Sequence, residues 1–394
     1  MSPIRVALLA DFLEEGWPSM DLVADMLLER LERDHAGLVD ATLVRPRLKR
    51  RLSRLSPGGR VPGIDRVAGR MWDYPRAARA LGGRFDIFHI VDHSYAQLVH
   101  ELPGSSTVVT CHDVDTFRSV IEPDREPRGP AFRAMTRRIL GGLRKAGHVV
   151  CDTEATRGQL IQKAGIVGEK TSVVHNGPHP DCTPHPETSA DREAARLLGP
   201  PRSSIDLLHV GSAIPRKRID LLIRIMAALN RPVRLVRVGG AFAAEQAALA
   251  RDLGVRDVVV LPFVDRTTLA AIYRRSALVL MPSEREGFGL PIIEALSCGT
   301  PVVASDIPAL REVGGEAISY CAVGDIEGWS RAIADLLDER DRRPGDWTRR
   351  RELGIRRAES FSWSRYAGEI AALYVRMAGQ RSNRANQTED DRPC

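Results

Sequence analysis

Short runs of β-branched and aliphatic residues alternate with longer stretches of helical periodicity along this chain, and the alternation happens twice. The first round uses IRVALLA, DIFHIV, STVVTCH, HVVCDT and TSVVHN as strands, separated by helical stretches such as Met20 to Leu31, Ala131 to Arg144 and Glu154 to Ala164. The second uses IDLLHVG, VRLVRVGG, DVVVLPF, ALVLMPS and TPVVASD, with helices expected from about Lys217, Ala243, Thr267 and Pro291. Strands of this kind bury both faces of a parallel sheet under helices. Two rounds, in 394 residues that exceed one ordinary core, predict an α/β fold of two doubly wound, Rossmann-like domains facing across a cleft. Ligands in such sheets bind beyond the carboxyl ends of the strands.

The expected division is a first domain over residues 1–180, an interdomain linker over 181–204 inside the Pro-, His- and Asp-rich stretch that starts near Gly177, and a second domain over 205–360. Residues 361–378, FSWSRYAGEIAALYVRM and its flank, read as a closing amphipathic helix crossing back to the first domain. Residues 379–394 are polar and predicted to be a disordered tail.

Composition removes several classes. No run approaches the roughly 18 apolar residues of a membrane span, and MSPIRVALLADF lacks the pattern of a secretory signal, so a cytoplasmic protein is expected. The six cysteines are scattered without metal-ligand spacing and read as reduced, mostly buried thiols. The net charge of +6 is concentrated between Ala41 and Arg84, where twelve Lys or Arg face only Asp65 and Asp73. That patch suits phosphate or the inner, anionic face of a membrane, with a solvated Arg-rich loop as the plain alternative. Few aromatics and no recognised module argue against nucleic acid as partner.

The stretch from Glu286 to Cys298, EGFGLPIIEALSC, carries the first chemical signal. On one continuous helix its two carboxylates would lie about 12 Å and about 80° apart and would not converge. Gly287, Gly289 and Pro291 instead predict a loop followed by a helix, with Glu286 in the loop above the helix start and Glu294 in its first turn. Free N–H groups from Gly287 to Ile292 and the helix dipole then suit a phosphate, and the carboxylates suit hydroxyls of sugars on either side of it. The plain alternative makes Glu294 a dipole residue and Glu286 a solvated charge. A second signal, GSAIPRKR after the second round's first strand, crowds Arg216, Lys217 and Arg218 at a helix start, where cations are unfavourable unless an anion is bound.

With these features the chain resembles the family 4 retaining glycosyltransferases of the GT-B fold. Glu286 and Glu294 match the E-x7-E signature, GSAIPRKR looks like the phosphate loop, TVVTCHD, VCDTEATRGQLI and VVHNGPH are similar to first-domain landmarks, and FSWSRYA to the closing helix. The resemblance implies that Glu286 contacts the donor sugar, that the backbone of Gly287, Phe288, Gly289 and Leu290 holds sugar and phosphate oxygens, and that Glu294 binds the ribose. It further implies that Lys217, helped by Arg216, neutralises the diphosphate beside Gly211, and that Val264 grips the base through its backbone. One departure stands out: many relatives carry Arg after the glycine matching Gly211, where this chain has Ser212, so Arg216 or Arg218 must substitute or diphosphate binding is weaker.

In the first domain, His112 ends strand STVVTC; a lone His there is commonly structural, but its match to the TVVTxHD landmark implies contact with the transferred sugar. Asp113-Val114-Asp115 reads as a D-x-D metal signature that belongs to a different fold, so no obligatory metal is expected. Gly16, Trp17 and Asp113 are assigned to the acceptor side, with Trp17 either stacking on an acceptor sugar or plugging a core. The implied activity is metal-independent hexosyl transfer with retention, from a UDP, GDP or ADP sugar to an acceptor hydroxyl in polysaccharide or glycoconjugate biosynthesis. The alternatives are a sugar-nucleotide epimerase on the same fold or, less favoured, a nucleic-acid-binding protein.

Overall fold

The computed structural model describes residues 2–51, 63–200 and 203–390. Two compact units are formed: Met1–Asn176 together with Trp363–Cys394, and Gly177–Ser362.

The first unit holds strands β1 (Ile4–Leu9), β2 (Val39–Val44), β3 (Ile87–Ile90), β4 (Thr107–Cys111), β5 (His148–Cys151) and β6 (Thr171–Val173). All pairs are parallel, in the order β2-β1-β3-β4-β5-β6. The second unit holds β7 (Ile205–Val210), β8 (Val233–Val238), β9 (Val258–Leu261), β10 (Leu278–Met281), β11 (Val302–Ser305) and β12 (Ser319–Cys321), in the order β12-β11-β10-β7-β8-β9. The chain reverses direction across each sheet beside its first strand, and the crevice this leaves at the carboxyl edge is where ligands of doubly wound sheets bind.

The period of two is visible in the packing. Leu207, Leu235, Leu278 and Leu280 enter one core of the second unit, while Leu208, Val236, Val279 and Met281 enter the other. Neighbouring residues thus bury opposite faces, as a helix-covered parallel sheet requires.

Two expectations need correction. The stretch read as a linker contains a helix, Thr188–Leu198, capped by the Glu187 carboxylate on the amides of Ser189 and Ala190. Ala190, Ala194 and Leu198 recur every fourth residue and are buried against the core that also holds Leu269 and Tyr273, so burial of that stripe overrides the loop-like composition around it. The closing helix runs Trp363–Asp390, well into the segment expected to be disordered; no proline interrupts it before Pro393, and residues 391–394 lie outside the described ones. Its buried stripe, Tyr366, Ile370, Leu373 and Tyr374, belongs to the first unit. There Tyr374 Oη lies 2.6 Å from Nδ1 of His89, whose Nε2 meets Thr110 Oγ1 at 2.7 Å. Burial pushes His89 down to about 3, so the ring is neutral and each hydroxyl completes its bonding.

Five cysteines, Cys111, Cys151, Cys182, Cys298 and Cys321, are buried free thiols.

Candidate functional site

The residues assigned to the donor lie on loops at the carboxyl edge of the second sheet and on the helix Leu290–Ser297 that follows β10. Gly211 follows β7 at φ 154°, and the next loop enters a 3-10 turn, Pro215–Lys217. The α-helix begins only at Ile219, so Arg216 and Lys217 precede it rather than forming its first turn. Arg218, the junction, takes the left-handed conformation at φ 51°, uncommon for a residue with a side chain.

After β10, Glu286 lies with its side chain 5% exposed. Its Oε1 accepts from Lys217 Nζ at 2.6 Å and its Oε2 from Arg216 Nη1 at 3.0 Å. Arg216 also donates to Arg285 O at 3.0 Å, and Glu284 N donates back to Arg216 O at 2.8 Å, which laces the two loops together. Burial would raise the Glu286 carboxyl, but Lys217 and Arg216 carry it below its ordinary range. Two cations against one carboxylate leave the cluster net positive. The sugar-side carboxylate and the phosphate-side cations, assigned separately from sequence, therefore form one ion-paired group.

Gly289 caps the following helix, Leu290–Ser297, at φ 98°, where a β-carbon would also meet Leu310 Cδ2 at 2.8 Å. Phe288 is buried edge-on against Phe361, with ring centroids 5.9 Å apart. Ile292 N–H is not free, since it donates to Gly289 O at 2.8 Å; the amides of Gly289 and Leu290 donate to no protein acceptor among the described residues.

Glu294 is the fifth residue of that helix, one place beyond the first turn assigned from sequence. It is buried, accepting from Tyr273 Oη at 3.0 Å and from Arg266 Nη1 at 3.5 Å. Burial pushes its carboxyl above the usual range against the pull of Arg266 and Tyr273. Its partners are thus distinct from those of Glu286. Sequence reading missed both Tyr273 and Arg266, although they follow Val264 on the helix Arg266–Arg275 that Asp265 caps.

In the first unit His112 is fully engaged. Nδ1 meets Asp152 Oδ2 at 2.8 Å and Nε2 meets Val91 O at 2.7 Å. Burial opposes its protonation, but Asp152 and Asp92 prevail and raise it to about 10, so the ring is an imidazolium donating from both nitrogens. Both ring nitrogens are thus engaged within the protein. His93, overlooked there, accepts the His112 N–H on Nδ1 at 3.3 Å, and its buried Nε2 stands 3.6 Å from Asp113 Oδ1 without a hydrogen bond. Asp113 Oδ1 caps the Asp115 amide at 2.9 Å. Asp11, just past β1, is buried, and burial and the neighbouring Asp92 raise it to about 10. Gly16 takes the left-handed conformation, and Trp17 is 44% exposed, which rules out the core-plugging alternative.

Part of the basic stretch is neutralised by nearby carboxylates. Arg45 pairs with Asp25 at 3.0 Å, Arg51 with Asp73 through two bonds of 2.8 Å, and Arg70 with Glu15. Arg54 and Arg60 lie outside the described residues. A cavity of about 460 Å³ opens at the amino edge of the second sheet, bordered by Asp206, Arg275 and Trp347; none of the assigned donor residues lines it.

The family model described as glycosyltransferase family 4 matches residues 23–181, and the one described as glycosyl transferases group 1 matches 192–351. A D-inositol 3-phosphate glycosyltransferase of Gordonia bronchialis is 31% identical over 321 residues, covering 75% of this chain and 66% of the relative. Its counterpart in Thermobispora bispora is 30% identical over 74% of this chain and 71% of the relative. This chain thus spans about two thirds of the length of these relatives. Among solved structures, sucrose-phosphate synthase from Thermosynechococcus elongatus superposes with TM-score 0.75 at 19% identity, over 96% of this chain and all of that one. Anabaena HepE, solved with UDP and glucose, gives 0.69 at 18% identity, over 94% of this chain and 99% of that one. These likenesses carry the fold, two Rossmann-like units of the GT-B class. With two family models together covering most of its length, the chain belongs to glycosyltransferase family 4.

Proposed function

We propose that the protein is a retaining glycosyltransferase that moves a sugar from a nucleoside-diphosphate sugar to an acceptor hydroxyl. The carrying observation is the buried Glu286 bound to both Lys217 and Arg216 at the carboxyl edge of β7 and β10. Such a group offers a carboxylate to sugar hydroxyls and two cations to a diphosphate within a single hydrogen-bonded unit. As the glycosidic bond breaks, positive charge grows on the sugar and negative charge on the departing diphosphate. Lys217 and Arg216 stabilise the second more strongly than the ground state, which is differential binding of the transition state. The leaving phosphate takes the acceptor's proton on the same face, giving retention, and the cations do the work a metal ion would otherwise do. Glu294, with Arg266 and Tyr273, is assigned to the ribose, and the Val264 backbone to the base. Gly16, Trp17 and Asp113 remain on the acceptor side, joined by His93, while His112 acts through its charge and its backbone.

HepE was solved with UDP and the sequence relatives are named for D-inositol 3-phosphate, so UDP-glucose and that phosphorylated polyol head the donor and acceptor panels. Incubating the protein with UDP-, GDP- and ADP-sugars, with and without acceptor and with chelator present, tests the reading. We expect acceptor-dependent transfer with the donor's anomeric configuration kept. Conversion of donor alone would support an epimerase instead. Full activity in both Glu286→Gln and Lys217→Ala would overturn the site.

A peripheral membrane role has its own support. Ile64, Val67 and Trp72 are exposed on the helical turns Gly63–Ala68 and Gly69–Asp73, in the same stretch as Lys49, Arg47 and Arg50. Apolar and basic side chains together suit an anionic lipid interface. Vesicles containing phosphatidylglycerol should sediment the protein, and Arg47→Glu/Arg50→Glu with Trp72→Ser should release it; unchanged sedimentation would sink the idea.

A further inference from the structure

Ser212 leaves the phosphate loop without the cation many relatives carry there, and neither expected substitute stands at that position: Arg216 contributes its charge from the Glu286 cluster. Arg216 is committed to Glu286 and to the Arg285 carbonyl. Arg218 points to Asp220, with Nε and Nη2 each 2.9 Å from its carboxylate. A different arginine lies under the loop. Arg237, on β8, is fully buried between Val236 and Val238 and makes no ion pair among the described residues. Its Nη2 donates to Gly211 O at 3.2 Å, while Nε and Nη1 have no partner. Its register partner across the sheet is His209, whose imidazole can carry no negative charge and so gives no countercharge. Leaving a guanidinium buried and half-bonded is expensive, and an aliphatic residue would serve the sheet better.

The geometry gives that cost a use. In a trans peptide the C=O and the following N–H point in opposite directions. With the Gly211 carbonyl drawn toward Arg237, the Ser212 N–H must face away from the guanidinium. The carbonyl fits there only because residue 239 is glycine: a β-carbon at Gly239 would come within 2.2 Å of Gly211 O. Gln246 Nε2 holds the next loop carbonyl but one, that of Ala213, at 3.3 Å. The amides of Ser212 and Ala213 donate to no protein acceptor among the described residues, and a β-carbon on Gly211 would lie 3.7 Å from Lys217 Cε. Free amides beside a lysine, above a buried positive charge, form an anion cradle.

We propose that Arg237 is a positioning residue for the donor's phosphates: it clamps the Gly211 carbonyl from inside the sheet, aims the Ser212 amide at the anion and supplies from below the positive charge absent at position 212. The inference rests on the donor-site reading above and deepens it. It assigns to β8 a function that lies wholly beneath the visible surface of the site.

The test is calorimetry on the full chain. UDP, GDP and ADP are screened first, and the nucleotide of highest affinity is compared with its own nucleoside. Arg237→Met, similar in volume but uncharged, should weaken the nucleoside diphosphate by about tenfold to a hundredfold, the size expected for one charged hydrogen bond. It should leave the nucleoside within about twofold, and Arg237→Lys should recover part of the loss. Equal weakening of diphosphate and nucleoside would mean that Arg237 only maintains the fold, and would overturn the proposal. So would unchanged diphosphate binding in Arg237→Met while Lys217→Ala loses it, an outcome that leaves the donor site standing. If neither variant alters diphosphate binding, or if no nucleotide binds the native chain, the donor-site reading fails and this inference with it.

Discussion

Asp11 is held protonated by burial and by Asp92, at about 10 against an ordinary value of 3.8. A carboxyl raised in this way contributes its full stability below pH 3.8, where folded and unfolded chains both carry the proton. The contribution is lost as pH rises toward 10, because only the unfolded chain releases it. Asparagine imitates the protonated form and does not titrate. Asp11→Asn should therefore gain on the native protein by on the order of 1 kcal/mol per pH unit across that window, read as the difference in denaturation midpoints at pH 5, 7 and 9. A difference independent of pH would show that Asp11 is ionised. Tyr374→Phe makes the complementary case, since it strips the hydroxyl from a buried histidine nitrogen. A loss of about 1–3 kcal/mol in urea denaturation is expected, with little effect on nucleotide binding by the other unit.

Single residues also mark the limit of sequence reasoning. Glu286 and Lys217 were legible because their chemistry sits in short motifs, Gly-rich or cation-rich, beside strand ends. Their mutual ion pair was not, because 69 positions separate them and only the adjacency of β7 and β10 brings them together. Arg237 was hidden for a related reason: VRLVRVGG reads as a strand covered on both faces, but nothing local reveals which loop its guanidinium meets, Gly211 being twenty-six positions away. His112 shows a third limit, in which the motif names the residue but its partner Asp152 stands forty positions away.

At the scale of elements, the strands were the readable part, since continuous β-branched runs have few other uses. Helix starts were less so. The helix expected from Lys217 begins at Ile219, because Pro215 favours a 3-10 turn and Arg218 turns left-handed before it. The helix at Thr188–Leu198 escaped notice inside a Pro-rich stretch, its stripe of two alanines and a leucine being too weakly apolar to stand out from sequence alone. Packing between elements makes its own prediction. The helix Pro130–Lys145 approaches the turn His93–Glu101 so closely that a β-carbon on Gly142 would fall 1.9 Å from Ala96 O. Backbone cannot yield as a side chain can, so Gly142→Ala should cost about 3 kcal/mol, the upper end for overpacking, measured by thermal or urea unfolding. Gly158→Ala, with open space around it, serves as the control and should be neutral or slightly stabilising.

For the whole molecule, two units with separate cores predict two unfolding steps rather than one. A nucleoside diphosphate bound only by the second unit should shift that unit's step. At a concentration one hundred times its Kd the gain is about 2.7 kcal/mol, visible by scanning calorimetry as one transition moving up while the other stays. If both transitions move together, the units unfold as one. The family resemblance anticipated this architecture, yet it was silent on how much of the C-terminal segment is helical. There the sequence lacks a breaker between Gly379 and Pro393, while its polar composition points the other way.

The return of Trp363–Asp390 to the first unit has a consequence for biogenesis. On the ribosome, Gly177–Ser362 emerges uninterrupted and can acquire its core while translation continues, whereas the unit built on β1 to β6 waits for the helix Trp363–Asp390 until the other unit has been made. Tyr366, Ile370 and Tyr374, all buried there, arrive only after the second unit. The unit started first is thereby completed second, and a stop codon between Ser362 and Trp363 would cripple it rather than the unit translated just before that codon.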